Sequence, residues 1–224
     1  MNIIAIIPAR GGSKGIPNKN LLEVNGKPLL WYTLHRAKQS KYLNNIYVSS
    51  DSKKIGHYAL DNGASWVLRP KKISGDTAAS ESAIHHTVNK LPKKPDLVVF
   101  LQNTSPLRDR LDIDKCIEHL LENDLDSVFS GAIAPDYFLW SKKNGVLHGL
   151  NHDYRQRERR QNRGDQYIEN GSIYVFKTDL FLNKANRIGG KKDVYLMKPW
   201  TIHELDSLDD LELIEFYLKN KWKD

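Results

Sequence analysis

Four short apolar runs, at residues 3–7, 46–48, 97–101 and 128–129, alternate with helix-like stretches at 28–38, 52–62, 80–90 and 112–123. Few architectures fit that alternation. Each run is too short for a helix and rich in β-branched residues, as strands covered on both faces are. The intervening stretches carry helix punctuation: Pro28 opens the first, Gly63 and Pro92 follow the second and third, and a polar turn precedes the fourth. Strand and helix in alternation predict a doubly wound, mostly parallel α/β sheet.

After Ala134 the alternation stops. Residues 135–163 are aromatic, polar and strongly basic, with Gly145, Gly149 and Gly164 as turn signals, and read as an insertion. A strand at 172–176, a helix near 178–185, a strand at 194–197 and an amphipathic helix at 208–219 then restore the core pattern, so the Rossmann-like sheet is expected to be mixed at one edge. With 224 residues, 40% of them hydrophobic, one core suffices, and a single domain over 1–224 is expected.

The formal net charge of +7 asks for an anionic partner. Nucleic acid, a membrane surface and small polyanions would all serve, but the basic doublets are scattered and no nucleic-acid-binding motif accompanies them. The expectation is a small polyanion, with neither nucleic acid nor membrane as partner. The apolar start is too short for a signal peptide or membrane anchor, and the lone Cys116 excludes an intrachain disulfide or a multi-cysteine zinc site. A soluble, cytoplasmic protein is expected. Cys116 falls on an apolar helix position and reads as packing. No His spacing matches a metal motif, so the eight histidines receive no catalytic role.

Ligands of open α/β sheets bind beyond the carboxyl ends of the strands. Beyond the first run lies Pro8-Ala9-Arg10-Gly11-Gly12-Ser13-Lys14-Gly15-Ile16-Pro17-Asn18-Lys19-Asn20, dense in glycine and cations. Glycines let backbone N–H groups approach phosphate oxygens, Arg10 can bind them bidentately, and Lys14 and Lys19 supply point charges. A triphosphate would sit here. The spacing is neither G-x-x-x-x-G-K-[ST] nor G-x-G-x-x-G, so a P-loop and a dinucleotide site are disfavoured.

Within this loop, Ile7-Pro8-Ala9-Arg10, Ser13-Lys14-Gly15 and Lys19-Asn20-Leu21 resemble the opening motif of the acylneuraminate cytidylyltransferases, the CMP-sialic acid and CMP-nonulosonate synthetases. Val67-Leu68-Arg69-Pro70, Asp76-Thr77-Ala78, Leu101-Gln102-Asn103-Thr104-Ser105-Pro106-Leu107-Arg108, Arg159-Arg160-Gln161, Glu169-Asn170-Gly171-Ser172-Ile173-Tyr174 and His203-Glu204-Leu205-Asp206-Ser207 follow in the family's order, across nearly the whole chain. The resemblance implies transfer of CMP from CTP to the anomeric hydroxyl of an acidic nine-carbon sugar, N-acetylneuraminic acid or a relative such as diacetyllegionaminic acid.

By the same resemblance, Arg10, Gly11, Ser13, Lys19, Asn20, Arg69 and Ser80 would hold the nucleotide, with Lys19 nearest the reacting phosphate. Gln102, Arg160, Asn170 and Tyr174 would hold the sugar. Mg²⁺, or Mn²⁺ in its place, needs carboxylates beside the triphosphate, and Asp206 with Glu204 would supply them. Lys19, Arg10 and Asp206 would thus carry the chemistry. The family usually has two aspartates here, so Glu204 departs from its pattern, while Asp206-Ser207 could instead cap the last helix. The insertion resembles the family's dimerisation element, with Trp140 and Phe138 as candidate interface residues, and implies a homodimer. Two other readings stay open: CMP transfer to the eight-carbon acid Kdo, whose family lacks the Gly12-Ser13-Lys14-Gly15 pattern, and a non-enzymatic polyanion-binding protein.

Overall fold

The computed structural model describes residues 1–13, 15–159 and 164–222. Its first half runs β1 (Ile3–Pro8), a small hairpin of β2 (Glu23–Val24) and β3 (Lys27–Pro28), α1 (Leu29–Gln39), β4 (Asn45–Ser50), α2 (Lys53–Asp61), β5 (Ser65–Leu68), α3 (Ser80–Lys90) and β6 (Leu97–Leu101). There follow α4 (Asp112–Glu122), β7 (Ser127–Ile133), a second hairpin of β8 (Trp140–Lys143) and β9 (Val146–Gly149), β10 (Tyr167–Lys177), α5 (Thr178–Lys184), β11 (Lys192–Leu196) and α6 (Leu208–Lys221).

Seven strands form the central sheet in the order β11-β7-β10-β6-β1-β4-β5. All pairings are parallel except those of β10, which runs antiparallel to both β6 and β7. The doubly wound, mostly parallel sheet expected from the alternation is present, with its mixed pairings towards one end. Successive residues of a strand face opposite sides. Thus Ile3, Ala5 and Ile7 of β1 join Leu30, Val48, Val99 and Ile117 in one core cluster. Ile4 and Ile6 join Ile84, Phe100 and Phe176 on the other face. Because helices cover both faces, β1 and β6 read as unbroken apolar runs rather than as alternation.

The order reverses at β1, whose neighbours are β4 on one side and β6 on the other. Such a reversal leaves a crevice at the carboxyl ends.

Two elements depart from expectation for identifiable reasons. β5 has no clear apolar signal in the sequence because it is a short edge strand whose Leu68 is exposed. β10 starts at Tyr167 rather than near 172 because its register against β7 shifts between Glu169 and Tyr174. Gly171 lies in this irregularity with φ +64, the left-handed region that glycine enters without cost.

Within 135–163, β8 and β9 meet at Asn144 and Gly145, with φ of 50 and 82, the paired positive values of a two-residue hairpin turn. This hairpin is separate from the central sheet and leaves Tyr137, Leu139, Trp140, Val146, Leu147 and Leu150 exposed. Among the described residues, no helix is long and apolar enough to cross a membrane.

Candidate active site

A cleft of about 230 Å³ opens at the sheet's reversal, lined by Pro8, Arg10, Gly12, Ser13, Lys19, Asn20, Arg69, Ala78, Ser80, Gln102, Asn103 and Thr104. Pro8 ends β1, Arg69 follows β5, Gln102 follows β6 and Ser80 opens α3, so the parallel sheet delivers these residues to one place. Of the nucleotide residues expected from sequence, only Gly11 is absent from this wall. Its N–H donates to Asp51 Oδ1 at 2.8 Å, and a Cβ there would come within 2.9 Å of Ser52 Cβ. Gly11 therefore packs the loop against the turn after β4, and Gly12 faces the cleft instead.

Among the described residues, Arg10, Lys19 and Arg69 face the cleft, each in a different state. Arg10 Nη1 donates to Asp76 Oδ1 at 2.7 Å. Lys19 Nζ donates to Asp206 Oδ1 and to the Leu205 carbonyl, each at 2.9 Å. Arg69 is buried, yet its Nε and Nη2 have no hydrogen-bond partner among the described residues. Burial lowers its pKa, the positive charge of Arg10 lowers it further, and Asp51 opposes both. A buried N–H without an acceptor costs about 1–3 kcal/mol. An entering anion would supply the acceptor and remove that cost.

Asn20 is a brace as well as a wall residue. Its Nδ2 donates to the Arg10 carbonyl at 2.9 Å, and its Oδ1 accepts from Asn103 Nδ2 at 2.8 Å, tying the loop after β1 to the turn after β6.

On the opposite side, Gln102 Nε2 donates to Glu204 Oε2 and, at 3.1 Å, to Thr104 Oγ1. Burial raises the Glu204 pKa, and the neighbouring charge of Asp206 adds to the rise, against hydrogen bonds from Thr104, Gln102 and Ser105. Leu205 between the two acids is fully buried, and its N–H donates to the Thr104 carbonyl at 2.8 Å, fixing the segment that presents them. A Cβ on Gly171 would push against the Glu204 carboxylate, and the positive φ of that residue favours glycine there.

The capping alternative for Asp206 is resolved by its neighbour. Ser207 Oγ accepts from Asp210 N, and Asp210 returns a bond to the Ser207 N–H, a complete capping box. The Asp206 carboxylate is not needed for the cap and points to Lys19. Among the described residues no group of three or more His, Cys, Asp or Glu side chains could hold a metal by itself. The donor set still fits Mg²⁺, which commonly takes one or two carboxylates and completes its shell with phosphate oxygens and water.

Two residues expected at the sugar are engaged with protein groups instead. Asn170 is fully buried, and its amide is saturated by Thr201, Met197, Ser130 and the Ser172 N–H. It stabilises the irregular part of β10 and has no donor or acceptor left for a ligand. Tyr174 is 2% exposed, packs on Phe100 and donates its hydroxyl to Glu169. Arg160 lies outside the described residues. Cys116 is fully buried, and burial raises its thiol pKa well above the ordinary value, as a packing residue requires.

Arg108 closes one of the ordered motifs without an expected role. It is fully buried: Nη1 donates to Thr33 Oγ1 at 3.1 Å, and Nη2 to the Ser172 carbonyl at 2.8 Å and to the Gln102 carbonyl. One guanidinium thus joins the end of β6 to the Gly171 turn. Burial lowers its pKa to about 9, opposed by Asp112 and Glu204, so it stays charged at neutral pH. The sequence signal was an arginine just beyond a buried strand.

Comparison with known proteins places the chain in a family. A family model described as cytidylyltransferase matches residues 4–221. Post-translational flagellin modification protein B of Campylobacter coli is 30% identical over 98% of this chain and 96% of its own length. N-acylneuraminate cytidylyltransferase A of Danio rerio is 34% identical over 88% of this chain, which spans only 46% of that protein. Among solved structures, a CMP:2-keto-3-deoxy-manno-octonic acid synthetase complexed with CTP superposes with a TM-score of 0.72 at 14% identity, covering 99% of this chain and 100% of the other. At that identity the likeness is one of fold.

Proposed function

Because this chain belongs to the cytidylyltransferase family, we propose that it transfers CMP from CTP to the anomeric hydroxyl of a nonulosonic acid and releases pyrophosphate. The observation that carries the nucleotide half is the convergence of Arg10, Lys19 and Arg69 on one cleft, with Arg69 lacking acceptors for two buried nitrogens. The acceptor half is supported by the ordered motifs and by the relatives named above. N-acetylneuraminic acid and N,N'-diacetyllegionaminic acid are the acceptors the reading favours. Kdo is the alternative, supported by fold alone.

In this reaction the anomeric hydroxyl oxygen attacks the α-phosphorus and gives up its proton to solvent, the bond to the α,β-bridging oxygen breaks, and pyrophosphate leaves with the electron pair. Both substrates are anions, so their repulsion must be offset before they meet. Arg10 and Arg69 would bind phosphate oxygens, while Lys19 would stand at the reacting phosphate, where fixed positive charge stabilises developing negative charge. Ser13 and Ser80 would add hydroxyl donors, and Gln102 would orient the sugar. Arg160 would pair with the sugar carboxylate, while Asn170 and Tyr174 would shape the wall. Mg²⁺, or Mn²⁺, held by Asp206 with Glu204 beside it, would supply charge neutralisation on the phosphates.

The test offers CTP with N-acetylneuraminic acid, N,N'-diacetyllegionaminic acid and Kdo in parallel and measures pyrophosphate. Release with a nine-carbon acid, abolished by EDTA and restored by Mg²⁺, is the expected result. Release with Kdo alone would transfer the activity to the alternative, and silence with all three would leave the polyanion-binding reading.

The proposal extends to assembly: one nucleotidyltransferase domain over 1–224, acting in the cytoplasm as a homodimer through the 135–163 insertion. Exposed Tyr137, Leu139, Trp140 and Leu147 on and beside one hairpin support this, since a monomer gains nothing from presenting them together. Sedimentation at micromolar concentration should give twice the chain mass, and a monomer would refute the dimer. Neither nucleic acid nor membrane belongs among the partners proposed.

A further inference from the structure

We infer that Asp76 is a placeholder for a nucleotide phosphate, holding Arg10 in the cleft before the ligand arrives and giving way when a triphosphate takes the guanidinium. The inference rests on the CTP reading above.

Arg10 and Asp76 come from separate segments, the loop after β1 and the connection between β5 and α3, and meet at 2.7 Å. Their side chains are 31% and 40% exposed, so solvent screens the pair and it is readily exchanged for another. The connection bearing Asp76 also contributes Ala78 and, at its junction with α3, Ser80 to the cleft wall. The carboxylate is therefore attached to the wall that a nucleotide would touch. A carboxylate presents a guanidinium with the same oxygen acceptors as a phosphate, which is why arginine serves both.

Lys19 follows the same pattern with Asp206. Among the described residues, Arg10 and Lys19 are thus each covered by an acid carried on another segment, while Arg69 keeps two buried nitrogens without an acceptor. The arrangement keeps like charges from repelling one another in the unliganded cleft. It also keeps Arg10 turned inward. Its cost falls on the ligand, which must displace a negative charge from the position one of its phosphates would take.

Removing the Asp76 charge should therefore tighten binding rather than weaken it, by about two- to fivefold, the weight of an exposed ion pair. A purely structural role for Asp76 predicts the opposite sign. The experiment is calorimetric titration of CTP with Mg²⁺ at low ionic strength, acceptor omitted, into the unaltered chain, Asp76→Asn and Asp76→Ala. Both should show a lower Kd, with the gain shrinking as salt rises. In an Arg10→Gln background the gain should shrink. Unchanged or weaker CTP binding in both variants would overturn the inference, as would equal tightening without Arg10, which would make the effect a general charge effect. If the unaltered chain binds CTP but neither variant binds it more tightly, only the Asp76 inference fails; if the unaltered chain binds no CTP, the nucleotide reading fails and this inference with it.

Discussion

Lys19→Ala should lower turnover by about two to three orders of magnitude, the loss typical when one preorganised donor to a developing oxyanion is removed. The side chain is 13% exposed, but among the described residues its ammonium contacts only the Leu205 carbonyl and Asp206, and it belongs to none of the apolar clusters. The fold should therefore persist, with a melting shift of no more than about 3 °C. Steady-state kinetics beside a thermal melt decides it. A drop below tenfold would remove Lys19 from the reacting phosphate. A collapse of the melt would show instead that the Lys19–Leu205 tie holds the cleft together, and the kinetic loss would then say nothing about charge.

Arg108→Met should have the largest effect on stability. The guanidinium donates to two main-chain carbonyls and a threonine hydroxyl in a fully buried site, facing the charges of Asp112 and Glu204. Methionine replaces its volume and none of its donors, leaving buried acceptors and nearby acids uncompensated. Breaking such a buried arrangement costs about 3–5 kcal/mol, and for a chain of this length that lowers the melting temperature by roughly 10 °C. Lysine should not rescue it, because one ammonium lacks the planar fork that spans carbonyls on two elements. A melting shift under about 3 °C would show that water or a relaxed backbone satisfies those carbonyls in its place.

Much of this architecture could be read in the chain because parallel strands covered on both faces leave uninterrupted apolar runs. β1 and β6 are of that kind. What escaped reading follows from the same physics. β5, at the sheet's edge, does not need an apolar outer face, and the start of β10 is written in Glu169, Asn170 and Gly171, whose character comes from a register shift rather than from burial. Among site residues, the cleft cations were legible because phosphate chemistry restricts their type and glycine marks their loop. The burial of Asn170 and Tyr174 was not legible, because motif membership does not reveal which way a side chain points. Asn170 lies at the irregularity itself, and the fate of its amide depends on Ser130, Met197 and Thr201, distant in sequence. Asp76 could not have been paired with Arg10 without the fold that brings the two segments together.

The cleft draws its wall from positions near both ends of the chain: Arg10 and Lys19 at the start, Arg69 and Gln102 in the middle, with Glu204 and Asp206 behind them near the finish. No fragment contains it. A ligand that binds there therefore binds only the completely assembled molecule, and by mass action its whole binding free energy opposes global unfolding, about 2.7 kcal/mol at a hundredfold excess over Kd. Nucleotide supply would then set how long the folded chain resists proteases, making the lifetime of the protein a gauge of its substrate.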